Sequence, residues 1–467
     1  MVTDKWYLII PPVKTLSNNI VLNYTRWLLL IAFFKSASCV CQPCANLSYG
    51  TKTLYTPQQK VYAQPPKDYK AAFINYVGRH GARHLTKAVK TTYAYDILRK
   101  ADSLGALTPD GTLLFKMVDR LDQIENGRVN NISMLGRKEQ HDIGARMVTN
   151  YPELFSKKDY SVTIAVTNKV RTLQSANAFV SGLKKKAPST KAFRIDTDDE
   201  HLRFYDLSPA YTRYADEGNW VSALSELENE YAFLQISRAF TGKMFDATFL
   251  SAHKINSTKF TDDVYGFAMI VPSVSAEAKI YNAQTRALDF LSFFTCTELD
   301  ILARLDAAKD YFTKGPGLDL NGIQVKIAVP LLADFIRSTD EYINTGKNVA
   351  ALRFSHAEAI SPFAALLSLK GASAVAAHHQ QIDSVWQPAN IIPLSANIQW
   401  ILYKQKNSQQ YLIKFLLNES EVGIDGLDTD TFPYYRWNAV RAYYINKLAA
   451  YQTNPDADMK AFLFNLQ

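Results

Sequence analysis

The 467-residue chain has only four cysteines, and three of them, Cys39, Cys41 and Cys44, crowd near the N-terminus, leaving Cys296 alone in the body. So few, placed so unevenly, build neither a disulfide scaffold nor a zinc site, and no cysteine nucleophile is supported. A disulfide involving Cys41, Cys44 or Cys296 is compatible with an oxidising compartment, but the sequence does not choose the pair. Dense Lys/Arg tracts are missing too. The formal charge of +8 includes a net +3 from Lys5, Lys14, Arg26 and Lys35 against Asp4, so the chain after residue 38 carries +5. That mild excess argues against a nucleic-acid partner. No internal repeat or low-complexity segment is visible, and 47% hydrophobic content suits a globular protein with one or two cores.

The apolar run at 27–34 is too short to span a bilayer comfortably. It follows Arg26 and leads through Lys35 to the small residues Ser36, Ala37 and Ser38. This order of charge, apolar stretch and small residues reads as a signal peptide over 1–38, with a buried N-terminal helix as the alternative. The mature chain would begin at Cys39, which is also placed to carry a lipid anchor. Export is therefore expected, to the periplasm, to the outer membrane as a lipoprotein, or as a secreted protein.

Polar residues with Pro43, Pro65 and Pro66 make 39–70 read as a tether. The apolar segment 73–77 then reads as a buried strand ending in the glycine-punctuated turn Gly78-Arg79-His80-Gly81-Ala82-Arg83. A β-branched segment, 162–166, predicts a second strand, followed by a helix from about Arg171 to Leu183. A third strand, 349–354, runs into Ser355-His356-Ala357-Glu358. After it, Ser361-Pro362 has the form of a helix N-cap with proline at the first helical position. Segments 398–403 and 411–417 resemble an antiparallel pair, whereas 201–345 is rich in helical periodicity and poor in strand signals. The expected fold is α/β, with a mixed-sheet domain from 71–200 and 346–467 and a mostly helical inserted domain over 201–345.

Turns at the carboxyl ends of buried strands are where α/β folds place ligands. Two guanidiniums flanking an imidazole, as Arg79 and Arg83 flank His80, suit an oxyanion, because each arginine offers a planar fork of donors and phosphate has oxygens for several. Gly81 lets the backbone approach closely, and the neighbouring cations keep His80 neutral, with a free nitrogen to attack phosphorus. A basic surface turn is the bland alternative. Glu358 can protonate a poor alkoxide leaving group or act only as a helix-start carboxylate. His356 can meet the same ligand or sit satisfied at the core edge. Arg171 adds a guanidinium after the second strand. Lys184, Lys185 and Lys186 read as a solvated helix end rather than a substrate patch.

Arg79-His80-Gly81-Ala82-Arg83-His84-Leu85-Thr86 resembles the signature of the histidine acid phosphatases, the second branch of the histidine phosphatase superfamily. Ser355-His356-Ala357-Glu358 resembles the His-Ala-Glu triplet of multiple inositol polyphosphate phosphatases, where fungal and enterobacterial phytases usually carry His-Asp. Further likeness lies in Arg171-Thr172-Leu173-Gln174-Ser175-Ala176, Leu202-Arg203-Phe204-Tyr205-Asp206 and Asn397-Ile398-Gln399-Trp400, so it spans about 70 to 420. The resemblance implies the histidine phosphatase fold and hydrolysis of inositol polyphosphates such as inositol hexakisphosphate (phytate), with no metal or cofactor because arginines supply the positive charge. It implies His80 as nucleophile and Glu358 as proton donor, with Ala357 leaving the acid role to Glu358 alone. Arg79, Arg83, Arg171 and His356 would grip the transferring phosphate, and Thr86, Lys87 and Arg203 would contact substrate. Leu85 replaces the usual proline, a change expected to loosen the turn. The rival within the fold is a broad-specificity acid phosphatase acting on sugar or aromatic phosphates. A noncatalytic receptor is disfavoured by the presence of both His80 and Glu358, and a mutase by an insertion that resembles those of hydrolytic relatives.

If 1–38 is a signal peptide, N-terminal sequencing or intact mass of exported protein will place the mature start at or near Cys39. Recovery of exported chains that retain 27–38 would refute this.

Overall fold

Two runs without polar alternation, 71–79 and 350–355, become neighbouring parallel strands, since only a strand covered on both faces tolerates such composition. In the computed structural model, which describes residues 44, 47–59, 61–156, 161–187, 193–281 and 288–466, eight strands form one sheet. They are β1 (Tyr69–Arg79), β2 (Val162–Val166), β3 (Ile195–Thr197), β4 (Ala350–Ser355), β5 (Asn397–Gln405), β6 (Tyr411–Leu417), β7 (Ser420–Glu421) and β8 (Tyr434–Arg436). The order is β3-β2-β4-β1-β5-β6-β7, with β8 also paired to β6. From β3 to β1 neighbours are parallel, and from β1 to β7 they are antiparallel. This is the expected mixed sheet, and β2 and the β5–β6 pair fall where periodicity put them.

Helices α1 (Tyr93–Ser103), α2 (Pro109–Glu125) and α3 (Met134–Asn150) link β1 to β2, and α4 (Val170–Lys186) follows β2. Between β3 and β4 the described residues form helices and loops only, among them α5 (Phe233–Met244), α6 (Ser257–Ile270), α7 (Cys296–Lys314) and α8 (Val329–Thr345). The first crossover also joins this helical layer, because α1 packs on α6 and α2 on α5. One sheet face is covered by α3 and α4, where Ile143, Met147, Phe179 and Leu183 meet Tyr76 and Phe354. On the other, Phe335 of α8 and Phe363 of α9 (Ala357–Leu366) pack edge to face, and Phe335 also meets Trp400 of β5.

Two expectations need correction. The helix after β4 starts at Ala357 with His356 as N-cap, so Ser361 is not a cap and Pro362 lies inside the helix. Proline forfeits only the bond to the Glu358 carbonyl, and burial of nearly the whole helix outweighs that loss. Every residue of α9 except Glu358 is buried. Nor is 39–70 simply a tether. The Thr51 carbonyl accepts from Arg79, and the Tyr55 phenol donates to Glu419 (2.9 Å) and accepts from Asn397 (2.9 Å). Polar composition suggested solvent, but these groups are satisfied by buried partners. Cys44 is disulfide-bonded, as is Cys296. Residues 1–38, Cys39 and Cys41 lie outside the described residues, and among the described residues no helix is long and apolar enough to cross a membrane.

The turn after β1 rests directly on α3. A Cβ on Gly81 would come within 2.5 Å of the Gly136 carbonyl, and one on Gly136 would collide with the Ala82 carbonyl. Close backbone contact is thus why Gly81 is needed, and the partner is a helix rather than the ligand that the sequence suggested. Gly136→Ala should cost about 1–3 kcal/mol through overpacking and lower turnover by displacing the turn that carries His80. Urea unfolding together with initial rates checks both, and an unchanged rate would mean the turn tolerates the shift.

Candidate active site

Strands β1, β2 and β4 end side by side, and the turns leaving them converge. The His80 N–H donates to the Ser355 carbonyl (2.9 Å) and the Thr167 N–H to the Phe354 carbonyl (3.4 Å), so three turns distant in sequence share one edge. Around them, α3 supplies a polar clamp. Gln140 Nε2 donates to the Arg79 carbonyl (2.8 Å), while Glu139 accepts from the Ala82 N–H (2.8 Å) and from Ser395 Oγ (2.7 Å). Ser395 N–H in turn donates to the His80 carbonyl (3.0 Å), and Ser175 of α4 accepts from the Gly81 N–H (3.1 Å). The backbone bearing His80 is therefore held from several sides, as a positioned nucleophile requires.

His80 is 3% exposed. Burial, followed by the charges of Arg79, His356, Arg171 and Arg83, holds its imidazole well below the ordinary histidine range, so the ring is neutral near neutrality. Its Nδ1 lies 2.9 Å from the Gly81 carbonyl, which can only accept. The proton of the neutral ring therefore sits on Nδ1, and Nε2 keeps a lone pair.

Burial also lowers the three guanidiniums, Arg83 to about 10. Arg79 Nη1 donates to the Thr51 and Ile392 carbonyls (2.6 Å each), and Arg83 Nη1 to the His84 carbonyl (2.8 Å). The Nε atoms of Arg79 and Arg171 are buried and without a hydrogen-bond partner among the described residues. His356 Nε2 meets Thr167 Oγ1 (2.9 Å), which meets Thr172 Oγ1 (2.9 Å), itself 2.7 Å from the Lys169 carbonyl. That chain orients the His356 ring and leaves its buried Nδ1 unpartnered among the described residues. Burial and Arg171 hold His356 at about 3. The two imidazoles stand edge to face, 5.4 Å between centroids.

Glu358 sits in the first turn of α9 and keeps 40% of its side-chain surface open. Burial pushes its carboxyl up, but Lys314 and then His356 outweigh this and bring it down to about 2. Lys314 Nζ, from the end of α7, is 3.5 Å from Glu358 Oε1 and 2.7 Å from Asp310 Oδ1. The site thus collects Arg79, His80, Arg83, Arg171, His356 and Glu358. Thr86 and Lys87 are exposed on the turn beyond. Arg203 is bound to Asp206 and, at 3.5 Å, to Asp199, and its field reaches His356 and Arg171. Lys184–Lys186 is exposed at the far end of α4, about 20 Å of helix away from Arg171.

Sequence reasoning missed Lys314, Asp310 and the Thr167–Thr172 chain. The one signal for Lys314 was its place before Gly315-Pro316-Gly317, at a helix end, since helical periodicity alone says nothing about what that end faces. Leu85 stands where the resemblance expects proline. Its N–H, which proline would lack, donates to Glu125 Oε2 (2.9 Å). The same carboxylate lies 3.2 Å from His84 Nδ1, and Glu277 lies 3.4 Å from His84 Nε2.

A model of the histidine phosphatase superfamily (branch 2) matches residues 72–418. Human multiple inositol polyphosphate phosphatase 1 is 20% identical over 351 residues, 69% of this chain and 67% of that protein. The Bifidobacterium longum multiple inositol polyphosphate phosphatase, solved in complex with inositol hexasulfate, superposes with TM-score 0.74 at 18% identity, covering 87% of this chain and 98% of that one. The D. castellii phytase follows at TM-score 0.60 and 15% identity, covering 86% of this chain and 84% of that one. These likenesses establish the same fold, a mixed sheet with a helical layer.

The His84 bridge makes a stability prediction. Burial alone would lower His84, but bonding to Glu125 and Glu277 lifts it to about 9 from an ordinary 6.5. The contribution is full below pH 6.5, where folded and unfolded chains both carry the proton, and is lost as pH rises through 9. A shift of that size corresponds to roughly 3 kcal/mol. His84→Gln should therefore destabilise the protein more at pH 6 than at pH 9.5 in urea unfolding. An equal gap at both pH values would show that His84 is neutral in the fold.

Proposed function

The chain belongs to branch 2 of the histidine phosphatase superfamily, and from that premise we propose that it removes phosphate from inositol polyphosphates such as inositol hexakisphosphate through a covalent phosphohistidine on His80. The observation that carries this reading is the bare Nε2 of His80, its ring fixed by the Gly81 carbonyl and surrounded by Arg79, Arg83, Arg171 and His356. A phosphoryl group seated there gains donors from the buried Nε atoms of Arg79 and Arg171, which otherwise lack partners among the described residues. His80 Nε2 attacks phosphorus in line with the ester oxygen. The cations stabilise the equatorial oxygens as the bond loosens, and Glu358 delivers a proton to the departing alkoxide. Water then attacks the phosphohistidine from the leaving-group side, with the Glu358 carboxylate taking its proton, and inorganic phosphate leaves.

The substrate class is supported by the human relative and by the B. longum complex with an inositol polyanion, and by the density of cations at the site. Thr86 and Lys87, exposed beside the signature turn, are proposed to meet outlying phosphates, with Arg203 a further contact once an anion competes with its two aspartates. Export with removal of 1–38 suits this role, and an anchored form would carry its lipid on Cys39.

His80→Ala should abolish transfer from every ester. Glu358→Gln should slow the first turnover of inositol hexakisphosphate by on the order of a hundredfold, yet affect p-nitrophenyl phosphate much less, because p-nitrophenolate leaves without a proton. Rapid-quench measurement of the first turnover isolates this step from phosphohistidine hydrolysis. Equal losses on both substrates would remove Glu358 from the acid role.

A further inference from the structure

A proton donor must hold a proton, yet the groups around Glu358 oppose this. Facing it are the cations Lys314, Arg79, Arg83 and Arg171, the His356 imidazole, and the phenols of Tyr205 and Tyr211. In the proposed reaction the arginines and His356 serve the transferring phosphate, so a bound phosphate compensates their charge. Lys314 is not so used. It ends α7, in the helical layer across from α9, and stands between two carboxylates that differ in character. Asp310 is one helical turn earlier on the same helix, 2.7 Å away and 11% exposed. Glu358 is on another element, 3.5 Å away and 40% exposed. The short intrahelical partner anchors the lysine, and the longer, open contact is the exchangeable one. A lysine suits exchange, being a point charge with rotatable donors on a flexible stem.

We propose that Lys314 is a counter-ion exchanged by the substrate: a second phosphate on a polyphosphorylated substrate draws Lys314 off Glu358, and the released carboxylate takes up the proton it then donates. This rests on Glu358 being the leaving-group acid. The proton comes from solvent onto the carboxylate and passes to the ester oxygen as the P–O bond breaks, with the bonding pair going to that oxygen. Lys314 stays an ammonium ion throughout, leaning on Asp310 and the second phosphate. Selectivity results, because a monophosphate fills the arginine cradle but has nothing to draw Lys314 away. Glu358 then remains an ionised partner of lysine, and an alkoxide leaves poorly.

The test compares inositol hexakisphosphate, an inositol monophosphate and p-nitrophenyl phosphate in the first turnover of the full-length mature enzyme. Lys314→Met should raise the KM for hexakisphosphate while leaving its saturated first-turnover rate nearly unchanged, because the lost contact is to a non-reacting phosphate, while the monophosphate becomes faster, by a few-fold to about tenfold if Glu358 gains a unit of basicity. The alkaline limb of the monophosphate rate profile should move to higher pH. A merely structural lysine would produce neither the gain on the monophosphate nor that shift, so parallel losses on both inositol esters, or an unmoved limb, overturn the proposal. Asp310→Asn supplies a second decision should Lys314→Met unfold. With Lys314 left to Glu358 alone, the monophosphate should become slower relative to p-nitrophenyl phosphate, and a faster or unchanged ratio overturns the proposal. Glu358→Gln separates the two ideas. If it slows both inositol esters no more than p-nitrophenyl phosphate, the acid assignment itself fails. If it slows them selectively while Lys314→Met lowers all three together, only the exchange fails.

Discussion

Three guanidinium groups, Arg79 buried and Arg83 and Arg171 half-buried, share one corner at the carboxyl ends of parallel strands, and their mutual repulsion is the constraint that the surrounding structure has to meet. Arg79, Arg83 and Arg171 each lower the others or His80 through their fields, and burial removes the water that would screen them. Such a cluster persists only if the backbone beneath it cannot relax. The register of β1 against β4, with Gly78 opposite Phe354 and Arg79 opposite Ser355, supplies that backbone. The Glu139-Gln140 clamp on α3 holds the turn beyond Arg79, and the carbonyls of Thr51 and Ile392 hold the Arg79 guanidinium itself. A bound dianion would offset that repulsion, which is the source of the affinity for phosphate proposed above.

The same logic explains why the turn after His80 carries a buried ion cluster of its own. His84 between Glu125 and Glu277 binds the signature turn to α2 and to the helical segment around residue 277. Leu85 then uses an amide proton that proline would not have. Where proline would restrict φ, this turn instead has a hydrogen bond to α2. The helical layer thus positions His80 from one side and, through Lys314 of α7, sets the charge of Glu358 from the other.

Legibility followed the strength of local signals. The strands β1, β2 and β4 were visible because unbroken apolar or β-branched runs have few alternatives, and Arg79, His80, Arg83, Arg171, His356 and Glu358 were visible because each directly follows or opens an element at such a strand end. Glu358 is the one residue of α9 that is not buried, a fact the apolar surroundings hint at but do not prove. The start of α9 was misread because Ser361-Pro362 is a strong local cap signal that tertiary burial overrides. The reading of 39–70 as a tether missed the contacts of Thr51 and Tyr55 because polar composition looks alike whether water or a buried partner satisfies it.

By itself the sequence determined the α/β class, the strand ends and the residue types that gather around phosphate, because these depend on periodicity and on chemistry carried by short segments. The tertiary structure alone decided that Gly81 is required by α3, that His84 lies between two glutamates, and that Lys314 faces Glu358. Those facts depend on distances between groups up to 193 residues apart, as for His84 and Glu277. No local preference encodes such distances, because they arise only when packing of the whole sheet and its helices brings the charges together.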